Sequence, residues 1–247
     1  MSGATWSARA VLPASRGILT ELQAQVLGAA FQPGGIASEF GLAGGTGLHE
    51  FYAGARLSDD LDLFTYSPEL VKPFGQALRA ALPGAIGGLT IEIHRDFEGF
   101  QAMTASTPDG AAVRIDLGVA DPPALGPVHR VNGTGVLDLA DLVAGKAHAI
   151  ADRCEPRDAF DLWIIVTRLG YSMEAVEALL FEKDDGIREY PPAWIGGLRE
   201  LSALPLILPD DLVAMILVPV TERELREFLA DAATGALERA ARRLPDG

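Results

Sequence analysis

Cysteine is nearly absent from this chain of 247 residues, which contains only Cys154. A single cysteine cannot form an internal disulfide, so the chain fits a reducing compartment. Long apolar runs are lacking as well, because the longest, residues 212–220, is about half of the ~20 residues that a membrane-spanning helix needs. The first residues also lack the apolar core of a signal peptide. We therefore expect a soluble, cytoplasmic protein that has no membrane partner.

Positive charge is scarce: 20 Lys and Arg residues stand against 34 Asp and Glu residues, which gives a formal net charge of -14. Nucleic-acid affinity comes largely from Lys and Arg that displace phosphate counterions, so the composition excludes a broadly basic nucleic-acid coat. The acidity is spread over both halves of the chain rather than gathered in one arm. Any binding of RNA or DNA would therefore need a local patch of the surface.

Several fingerprints of enzyme classes are missing too. The chain has neither a P-loop nor the glycine fingerprint of dinucleotide-binding proteins, and its four histidines lack a metal-binding spacing. We interpret the histidines and Cys154 as ordinary surface or core residues. Asn132-Gly133-Thr134 matches a glycosylation acceptor, which is irrelevant in an intracellular protein. The chemistry must therefore come from other residues.

The pattern of strands and helices divides the chain into two parts. Alternating apolar positions and turn residues predict a mixed α/β region, with strands at 38–43, 60–64, 89–94, 99–106 and 111–119 and helices at 17–31, after Gly44-Gly45-Thr46 and after Ser67-Pro68. Helical periodicity dominates afterwards, at 138–152, 156–169, 172–181, around 210–218 and from Thr221. The proline-rich segment 121–127 separates the two patterns. We therefore predict an α+β fold, with a mixed-sheet domain at 1–121 and a mostly helical domain at 122–247.

Two acidic residues stand out in the predicted strand 60–64. Side chains alternate along a strand, so Asp60 and Asp62 project to one face, about 6–7 Å apart. Such a pair suits a hard divalent cation, which prefers oxygen ligands. The Gly44-Gly45-Thr46 turn precedes a predicted helix and offers backbone N–H groups to a phosphate. A phosphate cradle followed by a carboxylate pair is typical of phosphoryl or nucleotidyl transfer.

A third carboxylate, Asp116, follows from the same alternation. Val113, Ile115 and Leu117 face one side of their predicted strand, which leaves Arg114 and Asp116 on the other. If this strand lies beside strand 60–64, Asp116 completes a cluster of three carboxylates. The sequence does not show that the two strands are neighbours, so the cluster is conditional.

Charged residues interrupt the apolar faces of two predicted helices. Lys146 lies in the middle of the apolar stripe of helix 138–152, where it either snorkels or faces a cleft with an anionic ligand. Helix 156–169 is apolar nearly all round, and its charged exceptions are Arg157, Asp158, Asp161 and Arg168. Buried charges are normally paired or functional. One pairing that the spacing allows is an i, i+4 ion pair of Arg157 with Asp161.

The ordered combination of these motifs resembles a known family. Four motifs are similar to the nucleotidyltransferase family of the AbiEii abortive-infection toxins, over about residues 38–168. They are Gly44-Gly45-Thr46, Arg56-x-Ser58-x-Asp60-Leu-Asp62-Leu-Phe64, Asp138-Leu-Ala-Asp-Leu-Val-Ala-Gly-Lys146 and Arg153-x-x-x-Arg157-Asp158-x-x-Asp161-Leu. The resemblance implies a polymerase-beta-like nucleotidyltransferase fold with a helical C-terminal part. It also implies that the enzyme uses a nucleoside triphosphate and Mg²⁺ or Mn²⁺.

The resemblance assigns expected roles to individual residues. Metal ligands would be Asp60 and Asp62. Asp116, which comes from the alternation and not from the resemblance, is expected to assist as a third ligand and as base for the incoming hydroxyl. The nucleotide-binding residues would be Gly44, Gly45, Thr46, Arg56, Ser58, Lys146 and Arg157. Lys146 matches the motif lysine and Asp161 the late motif aspartate, and both are expected catalytic residues of the cleft. Arg56 could equally pair with Asp59 or Asp60.

The partners follow from the resemblance and the charge. Family members are associated with toxin–antitoxin systems, so we expect a type IV toxin with an antitoxin partner. Some relatives transfer nucleotides to tRNA ends, whereas the acidity of this chain disfavours RNA as acceptor and leaves a protein or a small molecule open. The alternative is a catalytically inactive nucleotidyltransferase-like protein that serves as a binding or antitoxin protein.

Overall fold

The structure, a computed structural model, describes residues 11–32 and 36–243. The chain divides into two compact units, Leu12–Leu142 and Val143–Gly247. The sequence places the boundary earlier, in the proline-rich segment 121–127. The division into a mixed-sheet domain at 1–121 and a helical domain at 122–247 stays a prediction. The first ten residues, on which the expectation about a signal peptide rests, lie outside the described part. None of the helices that are described combines the length and the apolar character that a membrane crossing requires.

The first unit is built on a mixed sheet. Its strands are β1 (Phe40–Leu42), β2 (Asp60–Thr65), β3 (Thr90–Asp96), β4 (Phe100–Ser106), β5 (Ala112–Val119), β6 (His129–Val131) and β7 (Thr134–Val136). Within the described residues the strand order is β3-β4-β5-β2-β1-β7-β6. The pairs β2/β5 and β1/β7 are parallel and the others are antiparallel. All five predicted strands are confirmed within two residues at each end, and β1 starts two residues later than predicted because a 3-10 turn precedes it.

Alternation along the central strands separates a core face from a polar face. Leu61 and Leu63 of β2 and Ile115 of β5 are fully buried, while Asp60 and Asp62 are only partly covered. The helices of this unit are α1 (Glu21–Ala30), α2 (Gly44–Leu48) and α3 (Val71–Ala85). Helix α3 contacts β3, β4 and β5, and helix α1 contacts β5. The burial of the leucines fixes the strand register, because a slip of one residue would turn the carboxylates into the core.

The hairpin of β6 and β7 was not predicted from the sequence. Its two-residue turn is Asn132-Gly133, with φ of 50° and 90°. Positive φ at both turn positions is the geometry that favours Asn-Gly in tight hairpins. The motif that resembled a glycosylation acceptor is therefore a structural turn.

The second unit is helical, as predicted. Its helices are α4 (Leu139–Asp152, which begins in the first unit), α5 (Pro156–Thr167), α6 (Met173–Lys183), α7 (Asp185–Glu189), α8 (Pro192–Ala203), α9 (Asp210–Met215) and α10 (Glu222–Arg243). Helix α10 begins with the expected capping box, in which Thr221 and Glu224 bond each other's backbone N–H groups. Helices α7 and α8 were missed. The glycine at position 197 lets α8 approach α4 closely, since a Cβ there would lie 2.1 Å from the Ile150 carbonyl oxygen.

Candidate active site

The carboxylates on β2 and β5 are brought together by the register of these two strands. In their parallel pair, Asp62 lies beside Asp116 and Asp60 lies beside Arg114. Neighbouring residues in a sheet project to the same face, so the three carboxylates share one side. The strand adjacency on which Asp116 depended is therefore confirmed. Its role in catalysis stays a prediction.

Arg114 compensates the charge of this acidic face. Its Nε and Nη2 atoms donate hydrogen bonds to the two carboxylate oxygens of Asp116, both at 3.0 Å. These bonds raise the pKa of Arg114 above its usual value, and the charges of Asp60 and Asp62 raise it further. Across residues 11–32 and 36–243, no group of three His, Cys, Asp or Glu side chains is arranged to hold a metal ion. Asp116 faces the guanidinium instead.

The glycine turn closes directly onto the carboxylate strand. Gly44, the first residue of α2, has a φ of 60°, and a Cβ at this position would lie 1.7 Å from the Asp62 Oδ2 atom. A Cβ at Gly45 would lie 2.6 Å from Nη2 of Arg56 and 2.9 Å from Oγ of Ser58. Only glycines allow these side chains to approach the backbone so closely. Five residues that the sequence singled out are thus neighbours in space.

Thr46 and Arg56 hold this turn from inside the protein. The Thr46 hydroxyl is buried and donates a hydrogen bond to the Asp60 carbonyl oxygen, at 2.5 Å. Arg56 is also buried, and its Nη1 atom donates to the Leu57 carbonyl oxygen at 2.8 Å. The Thr46 side chain therefore fastens α2 to β2. A contact of either side chain with a triphosphate, or of Arg56 with Asp59, stays a prediction.

In the second unit, Lys146 belongs to a buried cluster of ion pairs. Its Nζ atom lies 2.7 Å from Oδ2 of Asp161 and 3.4 Å from Oδ1 of Asp158, and both aspartates are fully buried. Arg153 donates two hydrogen bonds to Asp158, at 3.0 and 3.1 Å. The sequence offered a snorkelling lysine or one that faces an anionic ligand. The structure gives a third arrangement, an interior lysine whose anionic partners belong to the same unit.

Two residues of these clusters were not assigned by sequence reasoning. Arg114 had a visible signal, because it stands two positions before Asp116 on the same face of a strand. Arg153 opens the last of the family-like motifs, but its contact was not predicted, because its partner Asp158 lies on the next helix and the loop between them sets the contact. Arg157, expected at the nucleotide, has its Nε atom 2.6 Å from Oε2 of Glu155. Its nucleotide role is untested.

The chain is similar to known proteins over most of its length. A family model described as "Nucleotidyl transferase AbiEii toxin, Type IV TA system" matches residues 25–244. Among curated proteins, the uncharacterized protein aq_aa25 of Aquifex aeolicus is 30% identical over 151 residues, which are 60% of this chain and 68% of that protein.

Two solved structures share the fold. MenT4, a nucleotidyltransferase toxin from Mycobacterium tuberculosis, has a TM-score of 0.56 and 17% identity, with 89% of this chain and 85% of MenT4 covered. JHP933 from Helicobacter pylori has a TM-score of 0.51 and 18% identity, with 89% of this chain and 92% of JHP933 covered. The predicted fold class, a nucleotidyltransferase-like mixed sheet followed by helices, is confirmed.

Proposed function

Because the chain belongs to the AbiEii nucleotidyl transferase toxin family, we propose that it is a Mg²⁺-dependent enzyme that transfers a nucleotide from a nucleoside triphosphate to an acceptor. The proposed biological role is that of the toxin in a type IV toxin–antitoxin pair. The acceptor is a hydroxyl-bearing molecule, for which RNA, a protein and a small molecule are all open.

The observation that carries this proposal is the placement of Asp62 between Asp116 and Gly44. Asp116 adjoins Asp62 across the sheet, and the glycine turn adjoins it from the other side, at a distance that no Cβ would permit. Carboxylates and a backbone turn meet at one point of the fold, as transfer of a phosphoryl group requires. Three carboxylates with one neighbouring cation, Arg114, leave an excess of negative charge that a divalent cation would offset.

The donor atoms suit Mg²⁺ or Mn²⁺. Asp60, Asp62 and Asp116 present only carboxylate oxygens, the ligands that hard divalent cations prefer. Asp116 is bonded to the Arg114 guanidinium in this structure, so a metal ion would take the place of that protein cation at the carboxylates. When bound, Mg²⁺ would neutralise charge on the triphosphate and polarise the reacting phosphate.

The residues of the chain then have these roles in the reaction. The backbone N–H groups of Gly45 and Thr46 bind the terminal phosphates, with Gly44, Ser58 and Arg56 shaping the turn. Asp116 leaves Arg114 and accepts the proton of the acceptor hydroxyl. The acceptor oxygen forms a bond to the α-phosphorus, and the bond to the bridging oxygen of the β-phosphate breaks, so pyrophosphate leaves. The resemblance also assigns Lys146, Arg157 and Asp161 to the reaction. They belong to the second unit, where Lys146 is paired with Asp158 and Asp161, and their roles stay predictions.

Calorimetry tests this function before the acceptor is known. We expect heat on titration of the protein with each nucleoside triphosphate in the presence of Mg²⁺, and saturation by at least one of them. The double variant Asp60→Asn with Asp62→Asn should lose that heat, whereas Glu98→Gln, at an exposed position of the same unit, should retain it. Absence of heat for every nucleotide would instead support the inactive binding or antitoxin protein.

A further inference from the structure

Three neighbouring strands arrange their polar-face side chains in a regular array. From β2, β5 and β4 in that order, the rows are Asp60, Arg114 and Thr104, then Asp62, Asp116 and Ala102, then Phe64, Gly118 and Phe100. Successive rows are about 7 Å apart, because they are separated by two strand residues. The third row therefore borders the carboxylates directly, on the same face of the sheet.

Both aromatic residues of the third row lie close to Gly118. A Cβ at Gly118 would lie 3.1 Å from a ring atom of Phe64 and 3.4 Å from a ring atom of Phe100. Both phenyl rings occupy the space that the missing side chain leaves, and both remain partly exposed to solvent. We call Phe64 and Phe100 the ring pair.

The ring pair differs in character from the carboxylates on its face of the sheet. The core of this unit lies on the opposite face, where Leu61, Leu63 and Ile115 are fully buried. The positions that precede Phe64 on its face of β2 are Asp60 and Asp62, which are polar and partly exposed. Two partly exposed aromatic rings next to carboxylates are suited to contact a ligand rather than to fill a core.

We propose that the ring pair binds a nucleobase of the acceptor by stacking, while the adjoining ribose offers its hydroxyl to Asp116. This inference rests on the proposed function, since it takes Asp116 as the site of the acceptor hydroxyl. The base and the hydroxyls of a nucleoside are separated by its ribose ring. That separation matches the distance of about 7 Å along the strand between the adjacent rows of Asp116 and Gly118.

The charge of the protein favours stacking over phosphate recognition. With a net charge of -14, the chain has few cations for a phosphate backbone, and the cation of the array, Arg114, is engaged with Asp116. Stacking on an aromatic side chain needs no positive charge and is tolerant of sequence. The acceptor is therefore a nucleotide recognised mainly through one base. It is either free or at the end of a single strand.

Equilibrium binding tests the ring pair independently of catalysis. The probes are fluorescein-labelled single-stranded RNA hexamers of each base, followed by fluorescence anisotropy, with the four nucleoside monophosphates as competitors. We expect Phe64→Leu combined with Phe100→Leu to raise the Kd about tenfold, as loss of one stacked base does. The corresponding pair of Tyr substitutions should restore binding, and Tyr190→Leu, at an exposed aromatic of the other unit, should leave it unchanged.

A third variant and the competition experiment give further evidence on the ring pair and on the ligand. The Gly118→Ala variant keeps both rings but displaces them, so it should weaken binding in the same direction. Competition by monophosphates at similar affinity would identify a free nucleotide, and markedly tighter hexamer binding a strand end. Wild-type affinity of the double Leu variant, or no binding of any probe to the wild-type protein, would overturn the proposal. Nucleoside triphosphate heats with Mg²⁺ report separately on the proposed function and should persist in the double Leu variant.

Discussion

Asp62 is the direct neighbour of Asp116 in the parallel pair of β2 and β5. Adjacent strands lie about 4.8 Å apart, so these two carboxylates repel each other unless a cation is near. Arg114 provides that cation by holding both oxygens of Asp116. The structure therefore combines a strong requirement for positive charge with a protein cation that partly meets it.

The first prediction concerns this balance of charge. Arg114→Ala removes the cation that compensates the three carboxylates, so the variant should have a lower Tm than the wild-type protein in the absence of divalent ions. Millimolar Mg²⁺ should raise the Tm of the variant more than that of the wild-type protein, because ligand binding stabilises the folded state. Lys72→Ala, which breaks an exposed ion pair with Glu98, is the control and should show the wild-type response to Mg²⁺. Equal responses of Arg114→Ala and the wild-type protein would contradict the account.

The second prediction concerns the glycine turn. Gly44→Ala should destabilise the protein by more than the ~1–2 kcal/mol that a left-handed conformation costs, because its Cβ also meets Asp62. Gly28→Ala is the matched control, since Gly28 lies within α1 with no atom near its Cβ position. That substitution should stabilise by about 0.5–1 kcal/mol. Urea denaturation measures the free energy of unfolding of both variants. Equal changes in the two would show that neither the left-handed conformation nor the contact with Asp62 requires glycine at position 44.

The third prediction concerns the buried ion pairs of the second unit. Lys146→Met leaves Asp158 and Asp161 in the interior with one cation fewer, which should cost about 3–5 kcal/mol of stability. Arg242→Ala removes an exposed pair with Glu238 and should change stability by less than about 0.5 kcal/mol. Chemical denaturation of the two variants provides the comparison. A loss below about 1 kcal/mol for Lys146→Met would mean that the two aspartates do not depend on it.

The fourth prediction concerns alkaline pH. Burial and the hydrogen bond that Tyr66 donates to Asp141 raise the pKa of Tyr66 well above its usual range. The stability from this group is therefore complete below the unfolded pKa, about 10, and is lost as the pH rises above it. In an absorbance titration of the four tyrosines, Tyr66 should ionise only with unfolding. The absorbance change that precedes unfolding should be the same in Tyr66→Phe as in the wild-type protein, and the change that accompanies unfolding should be smaller. A smaller change before unfolding would refute the assignment.

Alternation of side chains was sufficient to predict much of the candidate site. The face shared by Asp60 and Asp62 followed from a period of two, and so did the location of Arg114 and Asp116 on one side of β5. What alternation cannot supply is which strands are neighbours, because β2 and β5 are separated by a helix and two strands. The adjacency of Asp62 and Asp116 therefore needed the structure.

The misses have similar physical causes. The hairpin of β6 and β7 has strands of only three residues, too short for a periodic signal, although its Asn132-Gly133 turn was visible. Lys146 stood out as a charge in an apolar stripe, but its partners Asp158 and Asp161 lie on the following helix. The ion pair became visible only in the structure, where α4 lies against α5 and Lys146 contacts the buried Asp161 carboxylate.

Transfer of label from an α-³²P nucleoside triphosphate tests the central claim most directly. The wild-type protein is incubated with Mg²⁺, each of the four nucleotides and, as acceptors, total RNA or total protein. The account predicts labelling that falls at least about 100-fold in Asp60→Asn with Asp62→Asn and in Asp116→Asn, since these carboxylates supply several kcal/mol of transition-state stabilisation. Glu98→Gln should label like the wild-type protein. Undiminished labelling by the aspartate variants would contradict the assignment of this site.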